Sequence, residues 1–351
     1  MMSEKTEQNI LIHNIYYMLA YIYKTLEHPN YRNAGTEEFE NVHDMMAFLL
    51  GKAVSRQLKQ GLYREYVSKE EELTSLRGKI DMQASIRNRI DQKQRLICEY
   101  DELSENNLYN QIIKTTMHHL IYMNTVRPEN KALLKKNMLF FDSVDQIALK
   151  GIHWNRISYH RNNRSYEMIL TLCRMVLQGL LFTDEEGEIR LQSFFKEDVM
   201  SWLYENFILE YYRRHHPEFH AYPDCVKWNL DDESADFLPQ MKTDITLKYH
   251  GKILIIDAKY YSHSLQDNRG HLSIHSGNLY QMYAYVKNMD KDQTGSVSGM
   301  ILYAKTQEQI QPNSRFSISG NCIYVRTLDL TIPFDGVRDQ LEEIAEMLGE
   351  E

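Results

Sequence analysis

The sequence predicts an α+β protein: a mostly helical first half with a small β element, followed by a compact αβββαβ unit. Three observations carry that reading. Apolar residues recur at helical spacing through most of the first half. Strand-like apolar runs crowd into the stretch after Leu191. From there the runs alternate with helical segments to the end of the chain. With 351 residues there is room for one large domain or two ordinary ones. The change of texture divides the chain into 1–190 and 191–351.

Taken in order, Ile12, Ile15, Tyr16, Leu19, Ile22 and Tyr23 make a helical stripe over 9–26, and Phe48, Leu49, Val54 and Leu58 another over 37–60. A strand-like piece, GLYREYVSKEEELTSLRGKID, ends in a glycine-marked turn at Arg77-Gly78-Lys79. Residues 104–124 and 128–140 read as helices divided at Pro128, and YEMILTLCRMVLQGLLF as a helix that stops near Gly179. Beyond the boundary, FKEDVMSWLYENFILEYYRRHH is an amphipathic helix ending before Pro217. The runs AYPDCVKWNL, KTDITLKYH and KILIIDAKYY are strands, and NLYQMYAYVKNM is a helix. VSGMILYAK and NCIYVRTLDL are further strands, and a last helix spans 334–348.

Composition narrows the class. A net charge of −9 argues against a free-standing, strongly basic nucleic-acid binder; a nucleic-acid enzyme with this balance needs a local basic patch or a partner. Cys98, Cys173, Cys225 and Cys322 are scattered without zinc spacing and read as reduced, mostly buried thiols. The polar start and the lack of a membrane-length apolar run point to a cytoplasmic protein.

The stretch TDITLKYHGKILIIDAKYY carries the chemistry. His250-Gly251 suits a two-residue hairpin turn that needs positive φ. Counting outward from Tyr249 opposite Lys252, Asp244 lands opposite Asp257, where cross-strand neighbours lie roughly 5 Å apart. Like charges so placed repel, and a divalent cation would resolve the conflict. Lys259, two residues on, projects from the same face. Two carboxylates and an ammonium around one point fit a hard cation such as Mg²⁺. Alone, Asp-x-Lys is also the pattern of a partly buried salt bridge at a strand end. Gln281 and Tyr285 share a helix face, suited to a substrate strand or a water, and equally to a polar stripe on a packed helix. Glu205 adds a carboxylate from the preceding helix or sits on a solvated face.

Asp244, Asp257-Ala258-Lys259 and Gln281-x-x-x-Tyr285 together resemble the PD-(D/E)XK (restriction-endonuclease-like) nuclease pattern in its RecB-like form. With NIYYMLAYIY (14–23), LRGKID (76–81), MKTDITLKYHGKILIIDAKYY (241–261) and NLYQMYAY (278–285), nearly the whole chain resembles the McrC family. These are the nuclease subunits of McrBC, the type IV, 5-methylcytosine-directed restriction systems. The resemblance implies Mg²⁺ held by Asp244, Asp257 and the Ala258 backbone carbonyl, with Lys259 as catalytic lysine. Gln281 and Tyr285 match the accessory helix motif, and Glu205 matches it more weakly. Thr243 departs from the pattern by standing where proline is expected. The resemblance also implies a partner, a hexameric ring of the AAA+ GTPase McrB, which binds the GTP, reads methylated double-stranded DNA and translocates it. This chain would stimulate that GTPase and cut. The N-terminal half would dock, and the basic segments 77–95 and 150–164 are candidates for phosphate or partner contact, or else solvated faces. Two other readings stay open: a regulatory adaptor of the ring that does not cut, and a solitary RecB-like exonuclease.

Overall fold

A computed structural model describes residues 13–23, 39, 41–183, 197–230, 236–261, 265–268, 271–306 and 310–350. The chain divides into two compact units, one of residues 43–187 and one joining 1–42 to 188–351. The second division falls close to residue 190. The first differs from the expectation of one N-terminal piece over 1–190, for a reason visible in helix α1 (13–22). Asn14 donates from Nδ2 to the carbonyls of Leu330 and Ile332, at 2.6 and 2.9 Å. Tyr17 stacks on Phe334 with ring centroids 4.4 Å apart. The opening helix is thereby fixed to the end of the chain.

The middle unit is mostly helical, with a small sheet. Its helices are α2 (Val42–Leu58), α3 (Met82–Ile90), α4 (Leu108–Tyr122), α5 (Pro128–Met138) and α6 (Tyr166–Thr183). Helix α6 runs past Gly179 instead of stopping there. The sheet orders β1 (Glu65–Leu73), β3 (Leu96–Ser104) and β2 (Lys79–Ile80), all antiparallel. Strand β3 occupies the approach to the helix expected from 104, which begins at Leu108 under a cap from the Asn107 side chain. Helix α3 lies within the basic segment 77–95 and is capped by Asp81, whose carboxylate accepts from the Ala84 N–H. That segment folds back on the acidic strands: Arg77 lies over the Tyr100 ring at 3.9 Å and pairs with Glu102, and Lys93 pairs with Glu72.

The other unit is built on a mixed five-stranded sheet, ordered β11 (Ser314–Ile318), β12 (Asn321–Leu328), β10 (Val297–Ala304), β7 (Lys252–Lys259) and β6 (Ile245–Tyr249). Strands β6 and β7 are antiparallel, β7, β10 and β12 run parallel, and β11 turns back antiparallel at the edge. Helices α7 (Glu197–His215), α8 (Ser276–Met289) and α9 (Phe334–Glu350) complete the unit. Short strands β4 (Cys225–Val226) with β5 (Met241–Lys242), and β8 (Leu265–Asn268) with β9 (His271–Ile274), form two small ribbons. The strand expected over 221–230 is thus reduced to β4 and one bridge, Tyr222 to Thr246. Pro223 has no N–H to continue a ladder there.

Strand β7 is buried on both faces, which is why it reads as one apolar run. Ile253 and Ile255 pack with Met282, Tyr285 and Val286 of α8. Gly299 on β10 allows that close approach: a Cβ there would lie 2.3 Å from the Met282 sulfur. Helix α7 is more deeply buried than an amphipathic surface helix. Tyr204, Phe207, Ile208, Tyr211 and Tyr212 are all sequestered from solvent, each contributing about 1.5–3 kcal/mol of apolar burial. Tyr212 donates to the Leu341 carbonyl, and Glu342 accepts from Tyr211 and pairs with His216, which ties α9 to α7. Cys98 and Cys173 are buried and Cys225 and Cys322 are not, so the thiols are less uniformly buried than expected.

Candidate functional site

The hairpin forms in the counted register. His250 and Gly251 take φ of 47° and 83°, and Ile245 pairs with Ile256 and Tyr249 with Lys252. One step further, Asp244 stands opposite Asp257. Its Oδ2 accepts the Ala258 N–H at 3.0 Å. In an extended strand the carbonyl of a residue leaves from the same edge as its N–H, so the Ala258 carbonyl faces the same carboxylate.

Asp257 is 1% exposed. Lys259 Nζ lies 2.8 Å from its Oδ2, a charge-assisted contact that lowers the carboxyl. A buried carboxylate that shares one ammonium with a second acid is expensive, and the electrostatics register it. Burial, with the Asp244 charge added and Lys259 opposing, raises the Asp257 carboxyl to about 7. Burial also raises Asp244, against the pull of Lys259 and the Ala258 N–H. Lys259 is discharged by burial but recharged more strongly by Asp257 and Asp244, and it ends above the ordinary lysine range.

Glu205 joins the group. Burial first, then the charges of Asp244 and Asp257, push its carboxyl to about 7. The helix that carries it is held by buried aromatics, and the half-buried side chain feels the charge of both acids. Gln281 and Tyr285 also come together: Gln281 Nε2 donates to the Tyr285 hydroxyl at 2.7 Å, and that hydroxyl donates to the Lys242 carbonyl at 2.9 Å. Tyr285 is 5% exposed, and its hydroxyl is engaged with β5. Thr243 has its own task. Its N–H donates to the Asp224 carbonyl at 2.9 Å and its Oγ1 accepts from the Asp224 N–H at 2.8 Å. A proline could not make the first of these bonds.

The family model for the McrBC 5-methylcytosine restriction system component matches residues 2–304, most of the chain. The chain belongs to this McrBC component family. The Type IV methyl-directed restriction enzyme EcoKMcrBC of Escherichia coli (strain K12) is 28% identical over 347 residues, covering 96% of this chain and 98% of that protein. Two solved assemblies are also similar. One is a half-complex of Thermococcus gammatolerans McrB AAA+ hexamers with bound McrC, at 22% identity and a TM-score of 0.44, over 88% of this chain and 68% of that one. The other is the Thermococcus gammatolerans McrBC complex, at 24% identity and a TM-score of 0.42, over 59% of each chain.

The span matched by the McrBC component model ends on the last residue of β10 and contains every residue of the site. All six expected side chains are drawn to one end of the β6–β7 hairpin or to the helices beside it. Sequence reasoning missed two features. Lys242 acts electrostatically on both Asp244 and Glu205, and its signal was its place two residues before Asp244. Tyr303 on β10 pairs in register with Lys259 on β7 and accepts from Asn278 at 2.9 Å; no pattern in one sequence marks such a pair. Among the described residues no three His, Cys, Asp or Glu side chains form a complete metal-holding group, and no helix is long and apolar enough to cross a membrane.

A pH prediction follows from the site acids. A carboxyl raised in the folded chain binds its proton more tightly there than in the unfolded chain. Its stabilising contribution is therefore full below the ordinary carboxylate range and lost as pH rises through about 7, the value for Asp257 and Glu205. Asp257→Asn cannot ionise at that position. The melting temperature of the metal-free wild type is expected to fall relative to Asp257→Asn between about pH 5 and about pH 8. Parallel melting profiles across that range would contradict the assignment.

Proposed function

We propose that this chain is the DNA-cleaving subunit of a GTP-dependent, modification-dependent restriction complex, with a PD-(D/E)XK core in the unit that carries the β6–β7 hairpin. The observation that carries this is Asp257, a carboxylate that is 1% exposed, paired at 2.8 Å with Lys259 and facing a second acid, Asp244, across the strand pair. A structural salt bridge at a strand end needs one acid; here two carboxylates, Asp244 and Asp257, face one lysine, and burial raises both. Mg²⁺ fits the donor set, since it takes one or two carboxylates and fills its other positions with solvent or substrate oxygens. Asp244, Asp257 and the Ala258 carbonyl would hold it. When bound, Mg²⁺ would supply Lewis acidity toward the phosphate and toward the attacking water.

The chain's own residues do the rest. Asp244 and Asp257 must be deprotonated to bind a cation, and in the metal-free site burial works against that, so binding releases protons. Lys259 keeps its charge and stands where negative charge accumulates on a phosphate in transfer. Glu205, pushed to about 7, is poised to accept or return a proton near neutral pH.

Membership of the McrBC component family supports the system and, with it, the partner. The partner is a hexameric AAA+ GTPase ring of the McrB kind, which binds GTP and recognises 5-methylcytosine in double-stranded DNA. The N-terminal half, most of which is the middle unit 43–187, would be the docking part. The test combines full chain, partner ring, GTP and methylated duplex, and follows DNA nicking and GTP turnover side by side. Cleavage is expected with Mg²⁺ and its loss with EDTA, restored by added Mg²⁺. GTP turnover stimulated by a chain that never nicks would favour the adaptor reading instead.

A further inference from the structure

The site holds three acids, Glu205, Asp244 and Asp257, against one lysine already engaged with Asp257. With the proposed Mg²⁺ bound, one divalent cation and one lysine only balance three acids, so the site keeps no net positive charge to receive the flanking DNA phosphates. Lys242 is the cation placed to receive them. Along the strand Met241 and Thr243 are buried, Lys242 is exposed and Asp244 is partly exposed. Lys242 and Asp244 flank the buried Thr243, and the Lys242 charge reaches Asp244. Among the described residues Lys242 has no acid within ion-pair distance, although its charge acts on Asp244 and Glu205.

Its backbone is pinned while its side chain is open. Lys242 pairs with Cys225 between β5 and β4. The next residue, Thr243, exchanges bonds with Asp224 through its N–H and its hydroxyl. The carbonyl of Lys242 itself accepts the Tyr285 hydroxyl, which in turn accepts from Gln281. Tyr285 thus spends its hydroxyl proton on the main chain of a lysine, and Gln281 spends its amide on Tyr285. A two-residue strand does not need a buried tyrosine and a glutamine to hold it. Fixing the main chain beneath a cation reduces the freedom lost on binding an anion.

We infer that Lys242 receives the DNA backbone at the cutting site, its ammonium contacting a non-bridging oxygen of a phosphate beside the scissile one, and that Tyr285, braced by Gln281, is the positioning residue that holds it there. The inference rests on the nuclease reading and assigns the accessory helix pair a role through Lys242 instead of on the cation.

The experiment measures cleavage of a 5-methylcytosine duplex by the chain with its GTPase ring, as a function of DNA concentration and of salt. Lys242→Ala is expected to raise the DNA concentration for half-maximal rate about tenfold and to lower the log–log salt slope by about one. The plateau rate stays within about threefold. Lys242→Arg restores both quantities, and Tyr285→Phe shifts them in the direction of Lys242→Ala. If Lys242→Ala keeps the wild-type half-saturation and salt slope, the inference is overturned. Failure of the nuclease reading looks different: wild type does not cut, or Asp257→Asn cuts as wild type does. The same Lys242 variants are then compared by anisotropy of the labelled duplex bound to the full chain with Ca²⁺, where equal affinities and slopes again overturn it.

Discussion

Asp257→Asn is expected to reduce DNA cleavage by more than about 100-fold while leaving the fold and the stimulation of partner GTP turnover intact. Changes to groups that merely orient metal ligands cost about 10–100-fold in affinity or activity, and Asp257 is placed as a ligand itself. The amide preserves shape and volume at a residue with 1% exposure, so no cavity opens. What it removes is the negative charge that would draw a cation between strands β6 and β7. Calorimetric titration of Mg²⁺ or Ca²⁺ is expected to show binding in wild type and its loss in Asp257→Asn, with Asp244→Asn behaving alike. A purified Asp257→Asn chain that cut methylated DNA at the wild-type rate would end the assignment. Intact GTP turnover in the same preparation separates loss of chemistry from loss of docking.

The residues of that prediction were legible because local rules fix them. A two-residue turn with positive φ at His250 and Gly251 leaves one register for the hairpin, and the period of two then places Asp244, Asp257 and Lys259 without tertiary information. Glu205 was less legible. Its helix was evident, but whether a helical carboxylate meets solvent or another acid depends on the strand it packs beside. The roles of Gln281 and Tyr285 were half legible: their shared face followed from spacing, but the carbonyl their hydrogen bonds reach lies 43 residues before Tyr285. The placement of α1 was opaque, because it rests on one amide, Asn14, meeting carbonyls more than 300 residues away. Strand β4 failed for a local reason that could have been weighed: Pro223 interrupts the run. Helix α3 was hidden by its arginines and asparagine, although Asp81 three residues before Ala84 offered a cap signal.

Lys259→Met is expected to separate cation binding from chemistry, which Asp257→Asn cannot do. Methionine keeps most of the stem and removes the ammonium, which lies 2.8 Å from Asp257 Oδ2. Burial already raises Asp257 to about 7, and Lys259 is the largest influence opposing it. Without that charge the carboxyl moves further up. Because a cation requires the deprotonated carboxylate, the pH at which Mg²⁺ binds half-maximally shifts upward in the variant. At a pH high enough to restore binding, the loss that remains belongs to the chemical step. There, Lys259→Met is expected to cut about 10²–10⁴-fold more slowly, the range for losing a positioned acid–base or charge-stabilising group. Lys259→Arg is not expected to rescue it, since the planar guanidinium does not occupy the position of a compact ammonium. Metal titrations across pH, paired with single-turnover cleavage at saturating Mg²⁺, read the two effects separately. A variant with the wild-type plateau rate would make Lys259 a salt-bridge partner of Asp257, and the charge on the phosphate would have to be met by other groups.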